Sequence, residues 1–296
     1  MGKAEIRKSE YKDLEAISKL YQGEKTIEEL HWLLHDFESP GTYRSFIAVN
    51  EDNVVVGHIG YILSEYTINE KRVKGVHNML WITAPDAVGF IGLKLISKTL
   101  SMGDFSFAIG SSESSAKIFP VINYNFMFRI PLYVKLLIPT IRKFQNKHKS
   151  GVSLRTISLN DEKNDRECSL EVLTNVESNN LVQWILDCPF HEKKAFSIYH
   201  NEKCIGRAIC FINTRFGFVR TGRIIHISYL GEDELVWNAA LKLLESYFKS
   251  RKCYIISIPV TTKVVKKSVV NCNYKTFKKL SKPFYLNNEN NALPEM

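Results

Sequence analysis

The sequence has no apolar run approaching the roughly 20 residues that a membrane-spanning helix needs. Its opening, "MGKAEIRKSEYKDLEA", lacks the apolar centre of a signal peptide, and "MGKAEI" lacks the Ser or Thr at its sixth position that N-myristoylation requires. The expectation is a cytoplasmic protein with no membrane partner. None of the six cysteines (Cys168, Cys188, Cys204, Cys210, Cys253, Cys272) stands in a CxxC pair. That excludes the commonest zinc frameworks, and apolar contexts such as "KCIGRAICF" point to reduced core thiols. "HWLLH" sets His31 and His35 four apart, but it lacks the Glu of HExxH and a third ligand, so no metal is expected. Sustained heptads are also missing, which argues against a long coiled coil. The net charge of +9 is spread along the chain, with one denser stretch, "IRKFQNKHK" (141–149), that reads as a solvated linker. A positive field suits nucleic acid or a small polyanion alike, and the charge excludes little.

What is present is ordinary globular material: 45% apolar and 24% charged residues over 296 positions, enough for one large domain or two smaller ones. The most informative feature is an internal repeat. "HWLLHDF" and "SFIAVNEDNVVVGHIGY" recur as "QWILDCPF" and "AFSIYHNEKCIGRAICF", matching Trp32 with Trp184, Phe46 with Phe196 and Gly57 with Gly206. "GVHNMLWI" faces "GRIIHISYL", which aligns His77 with His226. "NYNFMFRIPLYV" then faces "NYKTFKKLSKPFYL". A period of about 150 residues is too long for a solenoid, so two similar domains are expected, at 1–145 and 152–296.

Each half reads as a strand, two helices, a three-strand meander, and then alternating helix and strand, a mixed α/β sheet. In the first half the helices are "YKDLEAISKLYQ" and "TIEELHWLLHDF", the second with Thr26 as N-cap and Glu29 at the capping-box position. The strands are "SFIAV", "VVVGHIGYILSEYTI", "RVKGVHNMLWIT" and "FSFAIGSS". "PLYVKLLIPTIRKF" hints at an amphipathic membrane segment, but Pro131 and Pro139 break it, which favours a strand and a packed connector.

Between the strand "MLWITAP" and the helix "LKLISKTL" lies "DAVGFIG". Its glycines, Gly89 and Gly92, permit a tight turn and close packing. They equally let a phosphate reach bare amides at a helix start. Both readings stand on the residues alone.

The order of elements, with "FIAVNEDNVVVGHIGY", "WITAPDAVGFIGLKL" and "IFPVINYNF" in sequence, resembles the GNAT acyltransferases. With the second half included, the chain resembles tandem-GNAT proteins, and within them N-acyltransferases of nucleotide-linked amino sugars in bacterial surface polysaccharide pathways. The resemblance implies two tandem GNAT-like α/β domains. It also implies acyl-coenzyme A as co-substrate and a nucleotide-linked amino sugar, of the dTDP amino-dideoxy type, as acceptor. Such a protein is a monomer or small homo-oligomer with small-molecule partners and no nucleic acid. The pyrophosphate loop R/Q-x-x-G-x-G/A falls on Ala87 to Gly92, where only Gly92 matches. Phe119 stands where many members carry a leaving-group tyrosine. In the second half the loop is "GEDELVWN", whose Glu232, Asp233 and Glu234 would repel pyrophosphate. Coenzyme A is therefore expected in the first half, held by Trp81, Ile82, Ala84, Ala87, Gly89, Phe90, Gly92, Ser111 and Ser112.

Acyl transfer needs an unprotonated amine against the thioester carbonyl. His77, on the strand before the loop, has a side-chain type that suits proton removal at neutral pH, with Asn78 as its companion. Trp32, Tyr43, Arg44 and His226 are the acceptor-binding candidates. Two other classes stay open: a Fem-type aminoacyl-tRNA-dependent transferase, and a non-catalytic tandem module.

Overall fold

The computed structural model describes residues 4–68, 71–85, 87, 90–139, 144, 146–157, 174–175, 179–229, 231–288 and 293. The chain runs β1 (Glu5–Lys8), α1 (Leu14–Leu20), α2 (Ile27–Leu34), β2 (Ser45–Val49), β3 (Val55–Ile68), β4 (Lys71–Thr83), α3 (Ile91–Leu100), β5 (Phe105–Ile109) and α4 (Glu113–Ile118). It continues through β6 (Asn125–Ile130), β7 (Leu132–Leu136), β8 (Val152–Thr156), β9 (Thr174–Asn175), α5 (Asn179–Leu186), β10 (Glu192–His200), β11 (Lys203–Arg215) and β12 (Val219–Tyr229). It ends with α6 (Glu234–Ser250), β13 (Ile255–Pro259), α7 (Lys263–Asn271), β14 (Lys275–Thr276) and β15 (Lys282–Asn287). Local chemistry accounts for several boundaries. Thr26 accepts from the Glu29 amide and starts α2, as expected, while the Glu29 carboxylate pairs with Lys25. Asn123, at φ +57°, closes the turn after α4, because Asn tolerates the left-handed region better than most residues.

Two compact units emerge: Met1–Phe128 with Glu171–Pro189 and Pro283–Met296, and Arg129–Leu170 with Phe190–Lys282. The first unit's sheet has the order β1-β2-β3-β4-β5-β15-β6, with β9 beside β3. The second unit's sheet, read from β8, is β8-β10-β11-β12-β13-β7-β14. These orders correspond strand for strand, and in both the meander is antiparallel and the fourth and fifth strands are parallel. The fold is thus two mixed α/β sheets of one topology. The repeat matches hold at the level of register: Ala48 lies opposite Gly57, and Ile198 opposite Gly206.

One feature differs from the expected single cut between 145 and 152. β7, from the end of the first repeat, completes the second sheet between β13 and β14. β15, from the end of the second repeat, completes the first sheet beside β5. Each repeat therefore gives up its last long strand, and neither 1–145 nor 152–296 contains a whole sheet. The reason is pairing: β5 and β13 each present an open edge, and the strand that fills it comes from the end of the other repeat.

The exchanged β7 carries a buried ion pair. Lys135 Nζ donates to both Glu245 carboxylate oxygens at 2.8 Å and to the Cys272 carbonyl at 2.6 Å. Glu245 is 5% exposed, in the middle of α6. The five described cysteines are free, as expected, and Cys168 lies outside the described residues. Lys135→Met strands a buried carboxylate, so urea unfolding should show a loss of about 3 kcal/mol, and the double variant Lys135→Met/Glu245→Leu should regain most of it. Equal stability of the single and double variants would show that the pair does not hold β7.

Candidate functional site

The site is built in the first unit on β4. Gly75 to Asn78 pair in parallel with Phe105 to Ala108 of β5, and there the pairing stops. β4 runs on to Thr83 with no strand on that side among the described residues, which leaves an edge of backbone N–H and C=O groups without a ladder partner there. Opposite, β3 pairs His58 with Ile82 and Gly60 with Met79, so β4 carries one extra residue between them. This bulge contains Leu80 at φ +52°. The Leu80 carbonyl accepts from His58 Nδ1 at 3.0 Å and from the Tyr21 hydroxyl at the end of α1. His58 is fully buried and its Nε2 has no partner. Burial pushes its pKa down to about 4, against a smaller upward pull from the Leu80 carbonyl.

The faces of β4 sort the candidates. Successive side chains point to opposite sides of a sheet. Asn78 is 6% exposed and donates from Nδ2 to the Tyr124 hydroxyl, which also bonds Ser106 Oγ at 2.6 Å. Burial raises the Tyr124 pKa to about 12, outweighing these two bonds. Asn78 is therefore a buried strut on the face opposite His77, not its catalytic companion. His77 is half-buried and lies flat on Phe107, with ring centroids 4.9 Å apart and planes 4° apart. Its low-polarity surroundings push its pKa down to about 4, and no carboxylate orients it among the described residues. Register also corrects the pairing of His77 with His226. His77 lies opposite Ile62 and Arg223 opposite Phe211, so Arg223 occupies the His77 position of the second repeat. His226 belongs to the second unit, opposite Ile209 past a bulge.

Beyond the bulge, Trp81 packs on the α3 face, 6.2 Å from the Phe119 ring. A Cβ on Gly92 would lie 3.3 Å from Trp81, so this glycine serves close packing of α3 on β4. Ile82 and Ala84 are half-buried, but the Ala84 amide donates to Val56 and the Ala87 amide to Ala84, so these two amides are already used. Gly89 lies outside the described residues. Phe90, 70% exposed, stands at the N-cap of α3 and supplies no capping side chain. Phe90 thus gives the N–H groups of the first turn no side-chain acceptor, and that turn has no acid. α2, α4, α6 and α7 differ: Thr26, Ser112, Asp233 and Thr262 cap them. Ser112 is thus spent on α4, whereas Ser111 Oγ is buried without a partner at the end of β5. Phe119 is buried among Trp81, Tyr124 and Tyr285. Tyr285, brought by β15 to 4.6 Å from Phe119, is a phenol that sequence reasoning missed, because nothing local ties position 285 to position 119.

The acceptor candidates are redistributed. Trp32 and Trp184 stack 5.0 Å apart, and each indole N–H donates to the other's backbone carbonyl, at 2.8 and 2.7 Å. Trp32 also lines a cleft of about 390 Å³ with Glu28, His35, Phe37, Trp184 and Asp187. Tyr43 is buried, its hydroxyl 2.6 Å from His31 Nδ1. Arg44 is 3% exposed, its guanidinium against the rings of Phe37 and Trp184, and it donates to the Leu33 and His35 carbonyls at the end of α2. Burial lowers its pKa to about 10. Arg44 therefore caps a helix and is buried away from any acceptor at the surface. No cluster of three or more His, Cys, Asp or Glu side chains suited to a metal occurs among the described residues.

No family model and no curated protein sequence matches this chain. Solved structures do. A GCN5-related N-acetyltransferase from Anabaena variabilis superposes at TM-score 0.62 and 11% identity, over 96% of this chain and 72% of that one. A probable N-acyltransferase from Enterococcus faecalis gives 0.63 and 13%, over 97% and 72%. Saccharomyces cerevisiae N-myristoyltransferase with bound myristoyl-CoA gives 0.61 and 11%, over 96% and 82%. At these identities the likeness establishes the fold alone: the chain shares the mixed α/β architecture of these structures.

Two outcomes follow. Gly92→Asp places a carboxylate in the first turn of α3, which favours the helix dipole but repels phosphate. Calorimetry should show coenzyme A binding at least about tenfold weaker than in Gly92→Ala, which meets the same Trp81 contact without the charge. Asp233→Asn, at the corresponding helix of the second unit, should leave binding intact. Equal losses would remove the assignment to α3. Separately, His58 is depressed in the fold, so the unfolded chain binds its proton first as pH falls. Its contribution is complete above the unfolded value of about 6.5 and is lost as pH falls towards 4, on the order of 3 kcal/mol. Thermal unfolding of His58→Gln should show a shallower fall in melting temperature between about pH 6.5 and 4 than the parent protein.

Proposed function

We propose that the protein is an acyl-coenzyme A-dependent N-acyltransferase whose cofactor is held by the first unit. The observation that carries this reading is the contrast between helix starts. α3 follows the unpaired edge of β4 with a bare, acid-free first turn, whereas its counterpart α6 is capped by Asp233 and followed by Glu234. The backbone of Ile91 to Leu93 would take the pyrophosphate, and the β4 edge and Ser111 would take the extended arm. The orphaned Ser111 hydroxyl fits a ligand that brings its own hydrogen-bonding partner. Bound acyl-coenzyme A supplies an activated acyl carbonyl.

The protein's part is positioning. A histidine with a pKa near 4 is neutral at pH 7 but takes a proton from an ammonium only at a large cost. His77 therefore accepts a hydrogen bond from an acceptor amine that arrives unprotonated, and solvent removes the proton. With Phe119 in place of a phenol, the thiolate leaves as an anion or takes its proton at Tyr285, whose hydroxyl makes no hydrogen bond to a described residue.

For the acceptor we propose a nucleotide-linked amino sugar, of the dTDP amino-dideoxy type. The cleft beside Trp32 supports this, since aromatic walls with Glu28 and Asp187 suit a ring that carries an amine. The cytoplasm, where nucleotide sugars and acyl-coenzyme A meet, is the proposed location.

Free-thiol release from acyl-coenzyme A donors against a panel of nucleotide-linked amino sugars tests the reading. Turnover with a sugar amine is the expected result, and coenzyme A binding without turnover of any sugar would remove the acceptor class. His77→Gln should lower kcat by about tenfold and leave the pH profile in place, since that profile then belongs to the acceptor amine. A profile shifted in the variant would show that His77 itself titrates during the reaction.

A further inference from the structure

One end of the second unit's sheet is apolar, exposed and ringed by cations. The β11–β12 hairpin turns at Phe216-Gly217-Phe218, where the two phenylalanines are 86% and 76% exposed. Phe216 sits at φ +53° and Gly217 at φ +75°. A bulky side chain in the left-handed region costs free energy, and a solvent-exposed phenyl ring gains none from folding. Asn or Gly would serve the turn better. The fold therefore gives no reason for Phe216.

The neighbouring strands extend the patch. Tyr254 donates its amide to the Arg220 carbonyl, two residues from Phe218, and accepts from the Leu137 amide. Leu136, opposite Ile255, is 79% exposed, Ile138 is 87% exposed and Tyr254 is 50% exposed. Leu136, Ile138, Phe216, Phe218 and Tyr254 thus gather where β7, β12 and β13 meet. The contributing segments 132–139, 212–223 and 249–255 contain no acidic residue. They bring Arg215, Arg220, Arg223, Lys249, Arg251 and Lys252. Among the described residues Glu192 pairs with Arg220 and Arg251, and Glu245 with Lys135, which leaves Arg215, Arg223, Lys249 and Lys252 outside these ion pairs.

We propose that this end of the second unit docks on an anionic membrane surface, with the Phe216–Phe218 tip inserted at the level of the lipid headgroups. The charge decides for a membrane: apolar side chains at the tip with arginines and lysines just behind them match an acyl layer beneath a layer of negative headgroups. Attachment is peripheral, since no described helix is long and apolar enough to cross a bilayer. It departs from the sequence expectation of no membrane partner, because the separated segments come together only in the sheet. The inference does not rest on the acyltransferase reading.

Sedimentation of the full chain with vesicles tests it. The protein should pellet with phosphatidylglycerol-containing vesicles at about 0.1 M salt, weakly with pure phosphatidylcholine, and weakly with either at about 1 M salt. Phe216→Asn/Phe218→Ser should bind at least about tenfold more weakly with an unchanged melting temperature. Arg215→Glu/Arg223→Glu should lose the preference for anionic vesicles. Failure of the parent protein to pellet with anionic vesicles overturns the proposal, as does undiminished binding by the phenylalanine variant. A concentration-dependent dimer that the phenylalanine variant abolishes, without vesicle binding, would assign the patch to a second copy of the chain instead.

Discussion

A residue at φ +52° inside a strand does not hold itself there, and at Leu80 the surrounding structure supplies the restraint. The carbonyl it turns out of the ladder is gripped by a buried imidazole from β3 and a phenol from the end of α1. One inserted residue reverses the facing of everything that follows in a strand. Asn78 points to the α3 face, and by simple alternation Trp81 would point away from it. The bulge sends Trp81 to that same face, against Gly92 and Phe119, while Met79 and Leu80 both reach the core under α1 and α2. The stacking of α3 on the sheet, and so the position of its N-terminus, follows from that reversal. Its cost is visible in His58, kept neutral with one nitrogen buried and unpartnered.

Duplication supplied a second copy of this architecture, and the two copies have diverged at the same structural point. α3 begins with an exposed phenylalanine that supplies no cap, and its first turn has no acid. α6 begins with Asp233 bonded to the Leu235 amide, which stabilises the helix and neutralises the field an anion would seek. A side-chain cap stabilises a helix start and occupies its amides, and at this point the two units differ. The exchange of β7 and β15 makes each sheet depend on a strand from the other repeat, and Lys135–Glu245 puts an ion pair on one of the exchanged strands.

The helices that carry the repeated tryptophans show the same economy of contacts. Each indole N–H is satisfied by the other's carbonyl, so the stacked pair leaves no unbonded indole donor beside the cleft it lines. Arg44 completes the arrangement from behind, with its charge spread against two rings and two helix-end carbonyls. Arg44, an acceptor-binding candidate from sequence, is packing behind two of the rings that line that cleft.

How much was legible follows from the range of each signal. Hairpin residues, the Thr26 cap, the free cysteines and the correspondence of Gly57 with Gly206 were readable because each rests on a few neighbouring residues or on a repeat that needs no structure to detect. The acids at the start of α6 likewise predicted its difference from α3. The opposite faces of His77 and Asn78 follow from strand alternation, but which of them is buried depends on what packs above each face. The pairing of His77 with His226 failed because bulges shift register, and a bulge is fixed by partners such as Tyr21, far from Leu80 in the chain. The exchange of β7 and β15, the burial of Arg44 and the depressed pKa values of His58 and His77 arise from contacts and desolvation across long separations. Sequence alone determined the periodicities, the caps and the duplication, since these are set by bonds and neighbours within a few residues. Tertiary structure alone decided which groups lost water and which strand filled each open edge, since desolvation and edge pairing exist only once distant segments have met.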